Sequence, residues 1–128
     1  MSGPTVRSYM TPSPHTIGKD QTLDRASAVM RAHDIRHLPV LEGGKLLGIL
    51  STRDVYLIET LPDVDPTQVT VEEAMSAEPY AVAPDTPLAD VVREMIAHKY
   101  GAAVVMQGRE VVGIFTTIDA LRALADRL

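Results

Sequence analysis

The sequence predicts an α/β (α+β) fold made of one β-α-β-β-α unit written twice. Three observations lead there. Residues 5–57 laid over 70–122, a shift of 65 without a gap, coincide at 15 of 53 positions. Each copy holds one segment of helical apolar period and two short strands of buried type around a glycine turn. The composition, 45% hydrophobic and 23% charged over 128 residues, is that of an ordinary globular domain. With one Phe, four Tyr and no Trp, the core must come from aliphatic side chains and methionine.

Each copy opens on a short helix or turn, at "VRSYM" and "VEEAM". A brief strand follows Pro14 and Pro79, "HTI" and "YAV". Leu23–His33 and Leu88–His98 then carry apolar residues at helical spacing, with Asp20, Thr22, Asp85 and Thr86 as start signals. "HLPVL" and "AAVVM" read as buried strands, and "EGGK" and "QGRE" as hairpin turns in which Gly takes a positive φ. "LLGIL" and "VVGIF" return, and helices at about 53–60 and 118–127 close the copies. The expected boundaries are 5–60 and 70–128, with 61–69, rich in proline, as the linker. A unit of about 55 residues cannot bury both faces of its sheet alone. The two are therefore expected to pack sheet to sheet about a pseudo-twofold axis, with two equivalent clefts at the seam.

The bulk numbers exclude several functions. A net charge of −5 argues against nucleic acid as a partner, because a phosphate backbone needs a basic face. With no Cys, thiol catalysis, thiolate metal sites and disulfides fall away. No apolar run approaches a membrane span, and the N-terminal residues do not read as a signal peptide. The expected location is the cytoplasm.

The duplicated series resembles a known family. "MTPSPHTI", "DQTL" and "IRHLPVLEGGKLLGILSTRDV", with "MSAEPYAV", "DTPL" and "KYGAAVVMQGREVVGIFTTIDA", resemble two CBS domains, named after cystathionine β-synthase. The resemblance runs from about Val6 to Leu124 and implies a tandem CBS pair, or Bateman module. Such pairs bind adenosine derivatives in the clefts between repeats: AMP, ADP or ATP, sometimes S-adenosylmethionine. They commonly form homodimers through their helices. The resemblance assigns the ribose hydroxyls to the Asp of a Ser/Thr-x-x-Asp motif at the last strand–helix junction, with hydroxyls and helix N-terminus facing phosphate.

That motif is Ser51-Thr52-Arg53-Asp54 in the first copy and Thr116, Thr117 and Asp119 in the second. A carboxylate can accept from both hydroxyls of a ribose, and unpaired N–H groups at a helix start attract phosphate. The alternative is a capping box, hydroxyl and carboxylate satisfying the helix's own first turn. Arg36, His37 and Arg53 supply cations to the first copy; the matching positions are Gly101, Ala102 and Ile118, so one strong and one weak or empty site are expected. The adenine candidates are Thr16, Ile17, Leu38, Pro39 and Val40, then Ala81, Val82, Ala103 and Val104, residues that also read as plain strand core. Tyr80 and Tyr100 can stack on a base or plug a sheet edge.

His33 and His98 recur in both copies, but each sits at a helix end where the dipole favours it, and no metal-ligand spacing accompanies them. A hydrolase built from Ser51, His37 and Asp54 lacks a nucleophile elbow. The sequence thus reads as a non-enzymatic regulatory module with no catalytic cofactor or metal, signalling to another protein. A structural dimerisation module without nucleotide is the alternative, and a nucleotide-acting enzyme the more distant one.

Overall fold

The computed structural model describes residues 3–128. The order of elements repeats as expected. In the first copy β2 (Ile17–Gly18), α1 (Leu23–His33), β3 (His37–Glu42), β4 (Lys45–Ser51) and α2 (Thr52–Glu59) follow one another. In the second copy they become β5 (Ala81–Val82), α4 (Leu88–His98), β6 (Ala102–Gln107), β7 (Glu110–Thr116) and α5 (Thr117–Ala125). The lead-ins are a 3-10 turn at Val6–Ser8 with β1 (Thr11–Pro12), and α3 (Val71–Ala74). The β2/β3/β4 sheet pairs Ile17 with Val40 in parallel and Val40 with Gly48 antiparallel. The other sheet repeats this register 65 residues on, Val82 with Val105 and Val105 with Gly113. Gly43 and Gly44 both take positive φ, +57° and +81°, which is why only glycines suit that tight hairpin.

Two compact units result. One comprises His15–Pro79; the other comprises Tyr80–Leu128 together with the segment ending at Pro14. The lead-in of each copy is therefore seated in the core of the other copy's unit. Val71, Ala74 and Met75 pack with Leu23, Met30, Leu38 and Leu50. Val6, Tyr9 and Met10 pack with Val91, Met95, Ala103 and Phe115. Backbone hydrogen bonds fix the exchange twice over. The Leu23 N–H donates to the Val69 carbonyl and the Leu88 N–H to the Pro4 carbonyl, both at 2.9 Å. These bonds satisfy helix-start N–H groups that Thr22 and Pro87, the N-cap residues, leave without a side-chain acceptor.

Two glycines make the exchange possible. A Cβ on Gly48 would meet the Ser76 carbonyl oxygen at 2.5 Å and the Met75 sulfur at 2.7 Å. One on Gly113 would collide with the Met10 side chain. The repeated Met10/Met75 and Gly48/Gly113 pairs are thus one packing device used twice: a lead-in methionine lying on a return-strand glycine.

Candidate functional site

The site candidates of the first copy converge at one end of the β2/β3/β4 sheet. β3 begins where β4 ends, so His37 is paired across the ladder with Ser51. The Thr52 N–H donates to the Arg36 carbonyl at 2.9 Å, tying the start of α2 to the strand entry. Ser51 caps α2 in full: the Asp54 N–H donates to Ser51 Oγ at 3.1 Å and the Ser51 N–H to Asp54 Oδ2 at 2.9 Å. Asp54 Oδ1 has no hydrogen-bond partner among the described residues. His37 is half-buried, and that burial pushes its pKa below the usual imidazole value, against the opposing pull of the Asp54 carboxylate; Arg36 adds to the lowering. Arg36 and Arg53 are exposed. Arg36 and Thr52 also line a groove of about 320 Å³ between α1 and α2.

The matching junction in the second copy has the same cap and a different carboxylate. The Thr116 N–H donates to Asp119 Oδ2 at 2.9 Å, and the Asp119 N–H to Thr116 Oγ1 at 3.5 Å. Asp119 Oδ1 accepts from Arg122 at 3.1 Å and from Thr11 Oγ1 at 3.4 Å. Only 2% of Asp119 is exposed, and both its oxygens are engaged. Thr117 is exposed beside Gly101, whose carbonyl accepts its N–H at 3.3 Å. The capping box expected as one reading is formed at both junctions.

Of the adenine candidates, Thr16 and Ala81 are exposed on the first strands, and Val82 is half-buried. Ile17, Leu38 and Val40 belong to one core cluster and Ala103 to the other. Pro39 and Val104, also fully buried, alternate with these residues to the opposite face of their strands. Tyr80 and Tyr100 stack on each other at 5.1 Å between ring centroids, and Tyr80 packs against the core. His98 stacks on Tyr100 at 5.1 Å, and its Nε2 lies 3.3 Å from Glu94. His33 stacks on His15 at 3.7 Å, a contact that the sequence pattern does not disclose. Among the described residues no group of three or more His, Asp or Glu side chains is placed to hold a metal ion, and no helix is long and apolar enough to cross a membrane.

The family model described as "CBS domain" matches twice, over residues 6–58 and 71–126. The chain belongs to the CBS-domain family. The CBS domain-containing protein YhcV of Bacillus subtilis (strain 168) is 32% identical over 115 residues, 90% of this chain and 81% of that protein. Among solved structures, the CBS domain pair of protein MJ0100 in complex with 5′-methylthioadenosine and S-adenosyl-L-methionine has a TM-score of 0.85 at 26% identity. That match covers 94% of this chain and 99% of the other. Hypoxic Response Protein I, crystallised with two coordinated zinc ions, has a TM-score of 0.81 at 28% identity and covers 93% of this chain and 98% of its own.

Proposed function

We propose that this CBS pair is a non-enzymatic regulatory module that binds an adenosine derivative of the AMP, ADP or ATP class, or S-adenosylmethionine, chiefly through its first copy. The observation that supports this most is Asp54. It keeps one oxygen on the cap of α2 and leaves the other without a partner among the described residues, at a junction that also carries the Arg36 guanidinium, the His37 imidazole and the Thr52 hydroxyl. That oxygen can accept from ribose while the cap stays intact, and the Arg36 guanidinium suits phosphate. At the neighbouring strand the exposed Thr16 and the backbone of Ile17 are offered to a base. The Asp119 junction, with both oxygens used and no cation at Gly101 or Ala102, binds weakly or not at all. The cluster of His37, Ser51 and Asp54 performs no hydrolysis, since Ser51 Oγ is spent on the cap. Binding that favours one arrangement of the chain shifts its population, and another protein reads that shift. The module pairs with a second copy through its helices, in the cytoplasm.

A melting panel of AMP, ADP, ATP, S-adenosylmethionine and NAD against wild type, Asp54→Ala and Asp119→Ala tests the reading. A ligand at 100 times its Kd adds about 2.7 kcal/mol. Asp54→Ala should erase that gain, whereas Asp119→Ala should keep it on a lower baseline. If no adenosine compound moves the wild-type melting temperature, the sensor reading fails and the chain is a scaffold. Accumulation of a cleaved nucleotide during incubation would instead make it an enzyme.

A further inference from the structure

The carboxylates of the two junctions sit on the same scaffold, and two other positions decide what holds them. Asp119 Oδ1 accepts from Arg122 Nη1 at 3.1 Å and from Thr11 Oγ1 at 3.4 Å. Arg122 reaches it from three residues further along α5, where side chains share a helix face. Thr11 reaches it from β1, which pairs with β7 at Ile114. In the other copy the matching positions, 65 residues away, are Leu57 and Ser76. The backbone there keeps the same register: Leu57 lies three residues after Asp54 on α2, and Ser76 bridges Ile49 of β4. Leu57 has no polar side-chain atom, and Asp54 Oδ1 has no hydrogen-bond partner among the described residues.

The two donors on Asp119 are surface groups covering a buried acceptor. The Arg122 side chain is 68% exposed and Thr11 is exposed, whereas 3% of the Asp119 side chain is. An ion pair with so exposed a guanidinium is a weak one, held by a long side chain with many other rotamers open to it. A ribose hydroxyl would offer the carboxylate the same kind of bond that Thr11 gives it now.

We propose that Arg122 and Thr11 are a latch over the second-copy carboxylate, and that the residues at 57 and 122, with those at 76 and 11, select which copy accepts a ribose. This rests on the ribose role proposed above and names the residues that direct it. Asp54 is open because Leu57 cannot close it. Asp119 is closed by its own helix and by the lead-in strand of its own unit. The latch also separates two classes of ligand. Gly101 and Ile118 stand where the first copy has Arg36 and Arg53, so no guanidinium serves a phosphate there. An unlatched Asp119 takes a ribonucleoside and gains nothing from a phosphate on it, whereas the Asp54 junction favours the phosphorylated form.

Equilibrium dialysis of AMP and of adenosine against the full chain tests the latch. Wild type should bind one AMP per chain. Thr11→Val with Arg122→Leu should bind a second ligand, adenosine as well as AMP, and adding Asp119→Ala should abolish that second equivalent. The reverse exchange, Leu57→Arg, should weaken AMP and adenosine alike at Asp54 by about tenfold, the low end for a charged hydrogen bond made by an exposed guanidinium. Tyr56→Arg adds the same charge at a spacing that does not face Asp54 and should change neither affinity. Leu57 is 60% exposed, so Leu57→Arg spares the core and carries the test if the double variant melts early. A double variant that still binds one equivalent overturns the latch, as does a wild type that already binds two. So does Leu57→Arg with raised AMP affinity, since that arginine would then be serving phosphate. A wild type that binds nothing, beside a double variant that binds one ligand through Asp119, sinks the first-copy reading and upholds the latch. No binding in any variant sinks both.

Discussion

Asp54 and Asp119 occupy one position of one duplicated motif, cap equivalent helices and differ in everything else. Asp119 is buried under Arg122 and Thr11 and gives both oxygens to its own unit. Asp54 gives one oxygen to its cap and has no partner for the other among the described residues. The same division recurs nearby. His15 stacks on His33 in the first copy, and at the matching positions Tyr80 and His98 are joined through Tyr100. Duplication has preserved register, caps and core and let the exposed chemistry drift. One junction has become structural. The other retains unspent polar groups, and in a repeated fold it is the unspent group, rather than the shared motif, that points to a ligand.

The largest effect expected from setting the copies against each other is at the packing glycines. Gly48→Ala drives its methyl into a backbone carbonyl, which cannot step aside, as well as into Met75. For Gly113→Ala the nearest obstacle is the side chain of Met10, which is flexible and unbranched. Overpacking costs about 1–3 kcal/mol. Gly48→Ala should fall at the upper end or beyond and Gly113→Ala near the lower, measured by urea denaturation. Equal losses would show that the two lead-ins are held alike and that the Ser76 carbonyl is free to move.

A smaller contrast is expected from the carboxylates in the absence of ligand. Removing Asp54 takes away a cap worth about 1 kcal/mol. Removing Asp119 takes away the same cap, its bonds from Arg122 and Thr11, and the filling of a buried position, raising the cost to about 2 kcal/mol. Asp119→Asn should recover part of that loss, because an amide oxygen still accepts from the Thr116 N–H. If Asp54→Ala proves the more costly variant in apo protein, the first junction is the structural one and the division of labour is reversed.

Much of this arrangement is legible in the chain. The 3.6-residue period of Leu23–His33 and Leu88–His98 sets both helices to the residue, and Gly43-Gly44 sets the hairpin. The Ser51/Asp54 and Thr116/Asp119 spacing marks both caps, because capping is decided within four residues. The exchange of lead-ins is not legible. Met10 and Met75 are identical, as are Gly48 and Gly113, so the sequence cannot say which methionine lies on which glycine. Spacing can suggest the Arg122 contact, an i,i+3 pair on one helix, but not that Thr11 also occupies Asp119, since Thr11 reaches it across 108 residues. The His15–His33 stack is missed for a similar reason: His15 lies outside any periodic segment. The adenine candidates show the opposite difficulty. Leu38, Val40 and Ala103 are buried as strand core whatever else they do, so pattern alone cannot separate packing from recognition.

The smallest expected effect is also the most specific to the first junction. Burial holds the His37 pKa below its ordinary value, so between the two values the unfolded chain binds more protons than the folded one. The His37 contribution is therefore present above the ordinary imidazole pKa and is lost as pH falls through it toward the folded value. The second copy has Ala102 at this place, so His37→Ala converts one junction into the other and should flatten that part of the stability profile. In the proposed site a phosphate beside His37 would act in the opposite direction, favouring the imidazolium, so nucleotide affinity should rise as pH drops from about 8 to about 6 even while apo stability declines. Calorimetry in buffers of different ionisation enthalpy reads this as proton uptake on binding. Uptake that persists unchanged in His37→Ala would move the phosphate away from β3 and leave Asp54 as the only anchor of the proposed site.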